Sequence, residues 1–302
     1  MRYAITGATG NISKVLVQKL LAYGHDVTVI GRSREHLEEL VKCGAHSAIG
    51  SVEDVEFVKK AFEGADAVYT MCPPNISTTD MAGYSERIGK NYKESIELNG
   101  IPYMVNLSSV GVHLERGAGH ITGMNRIEQV LNVLTAVNIK HLRPAFFYTN
   151  LFAQFDLIKN IGMMGANFSL KRFAIVDPAD VASVAAKHLH QLDFSGHSIR
   201  YIASDEVSTD EIAAVIGDAI GKPGLRWAKF TDDQALEGFI RGGFPKETAN
   251  EFVQGFKAMH EGKILEDYWE HPPELEKTKL RDFAKTFAAV WNEYSLSLVS
   301  SS

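Results

Sequence analysis

The sequence predicts an α/β protein: a doubly wound parallel sheet with helices on both faces, and a smaller, mostly helical C-terminal lobe. Three observations lead there. Short apolar, β-rich runs alternate with amphipathic helical stretches through the first half. A glycine-rich turn joins the first run to the first helical stretch. After Pro144 the alternation loosens, and helices with glycine and proline turns dominate. Strand, helix, strand, helix at this spacing builds βαβ units, and their crossovers make the strands parallel.

The elements follow in order. Residues 3–6 read as the first strand. Residues 12–23 read as a helix, with Val15, Leu16, Lys19 and Leu20 at helical spacing and Gly24 as its stop. Residues 26–30 form the second strand, 36–43 a helix closed by Gly44, and 47–49 a short third strand. Residues 55–62 are helical, stopped by Gly64, and 67–71 are a fourth strand that Pro73 and Pro74 prevent from continuing. Residues 80–98 read as a more polar helix and 103–107 as the fifth strand. A helix over 127–137 precedes a sixth strand at 141–143. Residues 180–192 are strongly helical, and 198–203 read as a last sheet strand. The division expected is a dinucleotide-binding unit over 1–150, to which 174–204 return, and an acceptor lobe over 151–173 and 205–302. The tail SLSLVSSS is expected to fray.

Composition excludes several classes. Hydrophobic residues are 45% of the 302, enough for a sizeable core, and charged residues are 23%. The formal net charge of −6 argues against general nucleic-acid binding, which needs a basic face. No apolar run approaches the roughly 18–20 residues that cross a bilayer. The N-terminus enters a strand at once, so no signal peptide is read. With only two cysteines, Cys43 and Cys72, a disulfide scaffold and a four-cysteine zinc cluster are excluded. These features point to a reducing cytoplasm.

The strongest motif is Gly7-Ala8-Thr9-Gly10-Asn11-Ile12-Ser13, which follows a strand and opens a helix. That is the context of a dinucleotide fingerprint. Gly7 allows the tight turn, and Gly10 lets the backbone approach a pyrophosphate. The helix from Ile12 offers free N–H groups and its positive dipole end. Ser13 stands where a third glycine often sits and is small enough for close helix–strand packing. At the end of the second strand, NAD-specific sites carry an Asp or Glu for the ribose 2′-hydroxyl. This chain has Arg32, flanked by Ser33 and Arg34. A guanidinium favours a 2′-phosphate by charge and bidentate hydrogen bonding, so NADPH is the expected cofactor.

Further motifs occur in a fixed order: Tyr69-Thr70-Met71-Cys72-Pro73-Pro74, Asn106-Leu107-Ser108-Ser109, Leu142-Arg143-Pro144-Ala145-Phe146-Phe147 and Asp177-Pro178-Ala179-Asp180-Val181-Ala182. With the glycine loop and Arg32 they resemble the NmrA-like branch of the atypical short-chain dehydrogenase/reductases, over about residues 1–220. The resemblance implies a Rossmann domain, NADP and a substrate cleft between the lobes. It implies further cofactor contacts at Met71, Pro73 and Ser108. It leaves a homodimer open. Members of that branch include NADPH-dependent quinone reductases, phenylpropanoid ether reductases and redox-sensing regulators.

The chain departs from the superfamily where proton transfer is concerned. A Tyr-x-x-x-Lys pair normally follows the fifth strand. With Glu128 as anchor, His120 takes the Tyr position and Met124 the Lys position. Methionine carries no charge and donates no proton, which disfavours reduction of an unactivated ketone. His120 is therefore the candidate proton donor or carbonyl hydrogen-bond donor. Phe146, Phe147, Tyr148, Phe152, Phe155, Met163, Met164 and Phe168 cluster after the sixth strand. Part of that cluster is core; part is expected to line a flat apolar pocket, with Tyr148 and Asn150 as polar handles. No Gly-x-Ser-x-Gly elbow and no His-Glu-x-x-His occur. His188 and His190, two apart on a helix, face different ways, so no metal site is expected. The reading is an oxidoreductase passing hydride from NADPH to a small planar, quinone-like acceptor. Its rival is an NADP-binding redox sensor without turnover.

Overall fold

The computed structural model describes residues 1–299. The last three residues of the tail expected to fray lie outside these, and the residues just before them belong to the final helix rather than to a frayed end.

Seven parallel strands form the central sheet. β1 (Arg2–Ile5), β2 (Asp26–Gly31), β3 (His46–Ile49), β4 (Ala67–Thr70), β5 (Tyr103–Leu107) and β6 (Asn138–Pro144) alternate with α1 (Asn11–Ala22), α2 (Arg34–Lys42), α3 (Val55–Ala61), α4 (Met81–Asn99) and α5 (Thr122–Leu131). β7 (Phe146–Phe147), α6 (Phe155–Ile161), β8 (Met164–Ala166), β9 (Phe173–Val176) and α7 (Pro178–Gln191) come next, and β10 (His197–Ile202) rejoins the central sheet. The strand order is β10-β6-β5-β4-β1-β2-β3. The order reverses between β1 and β4, the crevice where open α/β sheets bind ligands. β1, β4 and β5 are apolar along nearly their whole length, as strands covered on both faces must be.

The remaining elements are β11 (Asp205–Val207), α8 (Thr209–Ala219), β12 (Trp227–Lys229), α9 (Asp232–Arg241), α10 (Lys246–His260), α11 (Glu266–Glu270) and α12 (Leu280–Val299). They share small sheets with the segment after β6, in the orders β11-β9-β7 and β12-β8. β9 therefore lies outside the central sheet, whereas β10 pairs with β6 over its full length.

Backbone-centred contacts hold this lobe to the sheet. Asp180 accepts from the Thr278 N–H at 3.0 Å and from Ser204 Oγ at 2.7 Å, and Asp205 accepts from the Leu280 N–H at 3.1 Å. α12 then lays Phe283 and Phe287 on Tyr148, Phe152 and Phe155, with ring centroids 4.9–5.7 Å apart. These rings belong to the larger of the two cores; the smaller lies beneath α3, α4 and α5.

Candidate functional site

The carboxyl ends of β1, β2, β4 and β5 gather most of the cofactor residues expected from the sequence along one sheet edge. Gly7 turns the chain with φ +61°, a left-handed conformation that glycine adopts without strain. A Cβ there would stand 2.6 Å from the Met71 sulfur, so space and conformation both call for glycine. The Gly10 N–H donates to the Gly7 carbonyl at 2.9 Å, and the Ala8 N–H donates to the Ile30 carbonyl at 3.3 Å, which ties the loop to β2. Gly10 is the N-cap of α1, and no side chain caps that helix. Its first-turn amides are thus left for an anion. Ala8 and Ile12 are buried and offer backbone only; Thr9, Gly10 and Asn11 form the exposed rim. Ser13 packs inward, its hydroxyl donating to the Thr6 carbonyl at 3.1 Å. The uncapped helix and the glycine cradle fit a pyrophosphate.

Arg32 stands exposed just past β2 and makes no ion pair among the described residues. Ser33 beside it caps α2, accepting weakly from the His36 N–H at 3.5 Å. Two hollows lie in this region. One, of about 320 Å³, is lined by Ala8, Thr9, Lys14, His36, Glu39 and Leu40. The other, of about 210 Å³, is lined by Glu53, Tyr84, Arg87, Ile88, Lys90 and Asn91. Burial, with the neighbouring Cys72 and Glu53, pushes the Tyr84 phenol up to about 12, opposed by the Arg32 and Arg87 guanidiniums.

Across the crevice, the Met71 N–H donates to Thr6 Oγ1 at 3.0 Å and its carbonyl accepts from the Tyr92 hydroxyl at 2.7 Å. Pro73 follows, half-buried. Cys72 between them is no reactive thiol: burial pushes it up to about 11. Ser108, at the end of β5, donates to Glu128 Oε1 at 2.5 Å. Glu128 also accepts from Arg143 Nε at 3.1 Å and Nη2 at 2.7 Å. Arg143 reaches on to Asp267 at 2.9 Å and to the Tyr201 hydroxyl at 2.8 Å. Burial would raise the Glu128 carboxyl, but Arg143, His141 and Ser108 together hold it below the ordinary carboxylate range. Glu128, conspicuous as a sequence anchor, is thus half of a buried ion pair fixing Ser108.

The acceptor side differs from expectation in two places. His120 sits in a short 3-10 turn, Gly119–Ile121, pressed against α10. A Cβ on Gly119 would lie 1.9 Å from the Glu251 carbonyl, and one on Gly255 would lie 3.0 Å from His120 Nδ1. Phe252 stacks on the His120 ring, with centroids 4.4 Å apart and planes 18° apart. Burial pushes the imidazole down to about 4, with the Glu251 carbonyl opposing it, and Nδ1 is buried without a partner. The ring is therefore neutral near pH 7: it can donate or accept a hydrogen bond there but is no acid. Met124 packs between the two cores.

The second difference is Tyr148. It is 0% exposed, stacked on Phe283, and burial pushes its phenol far above the ordinary range. α12 covers it, so it offers no handle to a ligand at the surface. Phe155, Met164 and Phe168 are likewise core, while Asn150 is exposed. The half-exposed aromatic cluster lies instead on α9, α10 and the turn between them: Phe239, Phe244, Phe252 and Phe256, with centroid spacings of 5.3–6.5 Å. Sequence reasoning missed this cluster, although its helical spacing was visible. It also missed His113, in the loop after β5, whose two ring nitrogens are both buried without partners.

Comparison with known proteins agrees with this geometry. Residues 7–143 match the family model described as NAD(P)H-binding. A (4-alkanoyl-5-oxo-2,5-dihydrofuran-3-yl)methyl phosphate reductase of Streptomyces griseus is 24% identical over 258 residues, covering 85% of this chain and 87% of that one. An NAD(P)H azoreductase of Xenophilus azovorans is 22% identical, covering 82% of this chain and 83% of that one. The solved structure of an NADPH-dependent quinone oxidoreductase from Escherichia coli, complexed with NADPH, superposes with a TM-score of 0.77 at 16% identity, covering 94% of this chain and 99% of that one. The chain carries an NAD(P)H-binding domain on a Rossmann-like fold. The resemblance to the NmrA-like reductases agrees with these matches.

Proposed function

We propose that the protein is an NADPH-dependent reductase that passes hydride to a small planar conjugated acceptor, a quinone being the favoured case. The observation that carries this reading is the uncapped start of α1 behind Gly7–Gly10, on the same sheet edge as the His120 turn and its half-exposed phenylalanines. The α1 amides would hold the pyrophosphate, and Arg32 the 2′-phosphate. Met71, Pro73 and Ser108 would flank the chain of the cofactor toward the acceptor. A reduced nicotinamide bound there supplies the hydride. The neutral His120 ring can hydrogen-bond the acceptor, and the phenylalanines exclude water and hold a flat ring face on. A quinone suits a site without an acid, because the hydroquinone anion is stabilised by conjugation and takes its proton from water.

A second reading, a dinucleotide-binding sensor without turnover, draws on Met124 at the position of the proton-relay lysine. The two separate in one experiment. NADPH binding is measured first, then the loss of nicotinamide absorbance against a panel of quinones. Oxidation with any member supports the reductase; tight binding with none oxidising NADPH supports the sensor. Cofactor choice is tested by Arg32→Asp. Charge-assisted contacts of roughly 1.5–3 kcal/mol give the intact protein at least a tenfold preference for NADPH over NADH. The substitution should erase or reverse it. Equal affinity of the intact protein for both would remove Arg32 from the site.

A further inference from the structure

We propose that Ser108 meets the bound cofactor only as a hydrogen-bond acceptor, taking an N–H of the nicotinamide carboxamide, and that Glu128 is the positioning residue that fixes this polarity. The inference rests on the reductase reading above for the place of the nicotinamide and names the side chain that orients its carboxamide.

The first observation is where the Ser108 proton goes. A serine hydroxyl has one proton to donate and two lone pairs with which to accept. The Ser108 hydroxyl donates to Glu128 Oε1 at 2.5 Å. Glu128 also takes Arg143 Nε at 3.1 Å and Nη2 at 2.7 Å, so its carboxyl is ionised near pH 7 and has no proton to return. Ser108 and Glu128 are both buried, and water does not compete for the bond. Hydrogen bonds onto an ionised group are among the strong ones. Turning the proton toward a ligand would take one donor from a buried carboxylate.

The second observation is the oxygen that remains. Among the described residues no protein group donates to Ser108 Oγ. The Ser108 N–H is spent on the Leu142 carbonyl at 2.7 Å, which pins the residue against β6. β4 and β5 pair with Thr70 beside Asn106, so Ser108 stands level with Cys72, between the Met71 and Pro73 assigned to the cofactor.

The third observation is the state of the neighbouring hydroxyls. Ser109 Oγ donates to the Val110 carbonyl at 2.9 Å, Thr6 Oγ1 to the Tyr69 carbonyl at 3.2 Å, and the Tyr92 hydroxyl to the Met71 carbonyl at 2.7 Å. These protons are turned onto the protein, as the Ser108 proton is. A carbonyl or oxyanion brought to Ser108 would face lone pairs and be repelled. An N–H would be held, and the carboxamide is the N–H donor at the nicotinamide end of the dinucleotide. A bond to that amide restrains rotation of the ring and so the face from which hydride leaves.

The test compares NADP⁺ with its 3-acetylpyridine analogue, in which a methyl group replaces the carboxamide NH2. Both are titrated into the full chain by calorimetry, without turnover. The intact protein should bind NADP⁺ about tenfold or more tighter than the analogue. Ser108→Ala should weaken NADP⁺ alone and bring the two affinities within about twofold. Glu128→Gln should also shrink the ratio, because the charge that holds the proton is gone. A merely structural loss would weaken both dinucleotides alike and leave the ratio unchanged, which would remove Glu128 from its role. Equal affinities in the intact protein, or a tenfold ratio that survives Ser108→Ala, overturns the inference while leaving the reductase reading standing. Failure of the intact protein to bind either dinucleotide overturns both.

Discussion

Glu128→Gln tests whether the buried ion pair behind Ser108 holds the cofactor edge together. Glu128 is 5% exposed and Arg143 is 8% exposed, so solvent screens the pair little. The carboxylate takes three donors: Ser108 Oγ, Arg143 Nε and Arg143 Nη2. The amide keeps one acceptor oxygen and turns an NH2 toward the guanidinium. Breaking a buried pair by removing one partner costs about 3–5 kcal/mol. Arg143 keeps Asp267 at 2.9 Å, so its charge is not stranded, and the lower end of that range, about 3 kcal/mol, is expected. For a chain of this size that lowers Tm by roughly 5 °C. Ser108 also loses its anchor at the end of β5, so NADPH affinity should fall a few-fold. Urea unfolding gives the stability and a fluorescence titration gives the affinity. Arg143→Met strands Glu128 instead and should cost more. The double variant should cost less than the sum, because Glu128 no longer leaves a stranded carboxylate, while the loss of the Arg143–Asp267 pair is already counted in Arg143→Met. A loss under about 1 kcal/mol for Glu128→Gln, additive with Arg143→Met, would refute the coupling.

Two further predictions concern pH and the phosphate loop. His141 is 2% exposed, accepts from Asn106 Nδ2 at 3.1 Å, and donates from Nε2 to Asn132 Oδ1 at 3.0 Å. Burial pushes it down to about 4 from an ordinary 6.5. The unfolded chain therefore binds this proton first, and stability falls as pH drops from 6.5 toward 4, by up to about 3 kcal/mol for this group. The Glu128 contribution is lost at still lower pH, as protonation reaches its depressed carboxyl. Urea unfolding between pH 7 and 4.5 should show this slope, shallower in His141→Gln; identical slopes would exclude His141. Gly10→Val places a branched side chain where the pyrophosphate approaches, its Cβ 3.2 Å from the Gly7 carbonyl; NADPH affinity should fall at least about a hundredfold, with Tm lowered but the fold kept. Retained affinity in a folded variant would show that the cofactor is held elsewhere.

Where the signals are local, the sequence carried the fold. β1 to β5 and α1 to α4 lie within a few residues of their expected bounds, because their periodicities and glycine stops are contained in each segment. α5 was displaced: a helix was read over 127–137, but it runs Thr122–Leu131. Gly123 and Asn125 look like turn residues. In the structure a Cβ on Gly123 would lie 2.5 Å from Ser85 Oγ, so glycine there lets α4 and α5 pack closely. Asn125 spends its amide on the Val112 carbonyl at 2.7 Å, holding the loop after β5. Neither reason exists until both helices are in place. The phosphate loop was legible for the opposite reason, since turn, cradle and helix start are all contained in Gly7–Ser13.

The acceptor side could not be read locally, because its halves come from distant parts of the chain. His120 follows β5, and Phe252 arrives with α10. Gly119 and Gly255 let the 3-10 turn and α10 meet at backbone distance, and that contact buries the imidazole. Position alone assigned His120 the place of a superfamily proton donor. Burial changes the chemistry assigned to that place: an imidazole titrating near 4 is a neutral hydrogen-bonding group at pH 7. Tyr148 shows the same dependence, its ring turned from a candidate handle into core by Phe283, which arrives with the last helix. On the proposed reductase reading, a site built this way would pass hydride best to acceptors that tolerate a missing acid. The kind of acceptor such a site would take depends on burial at His120 more than on the fingerprint that points to the cofactor.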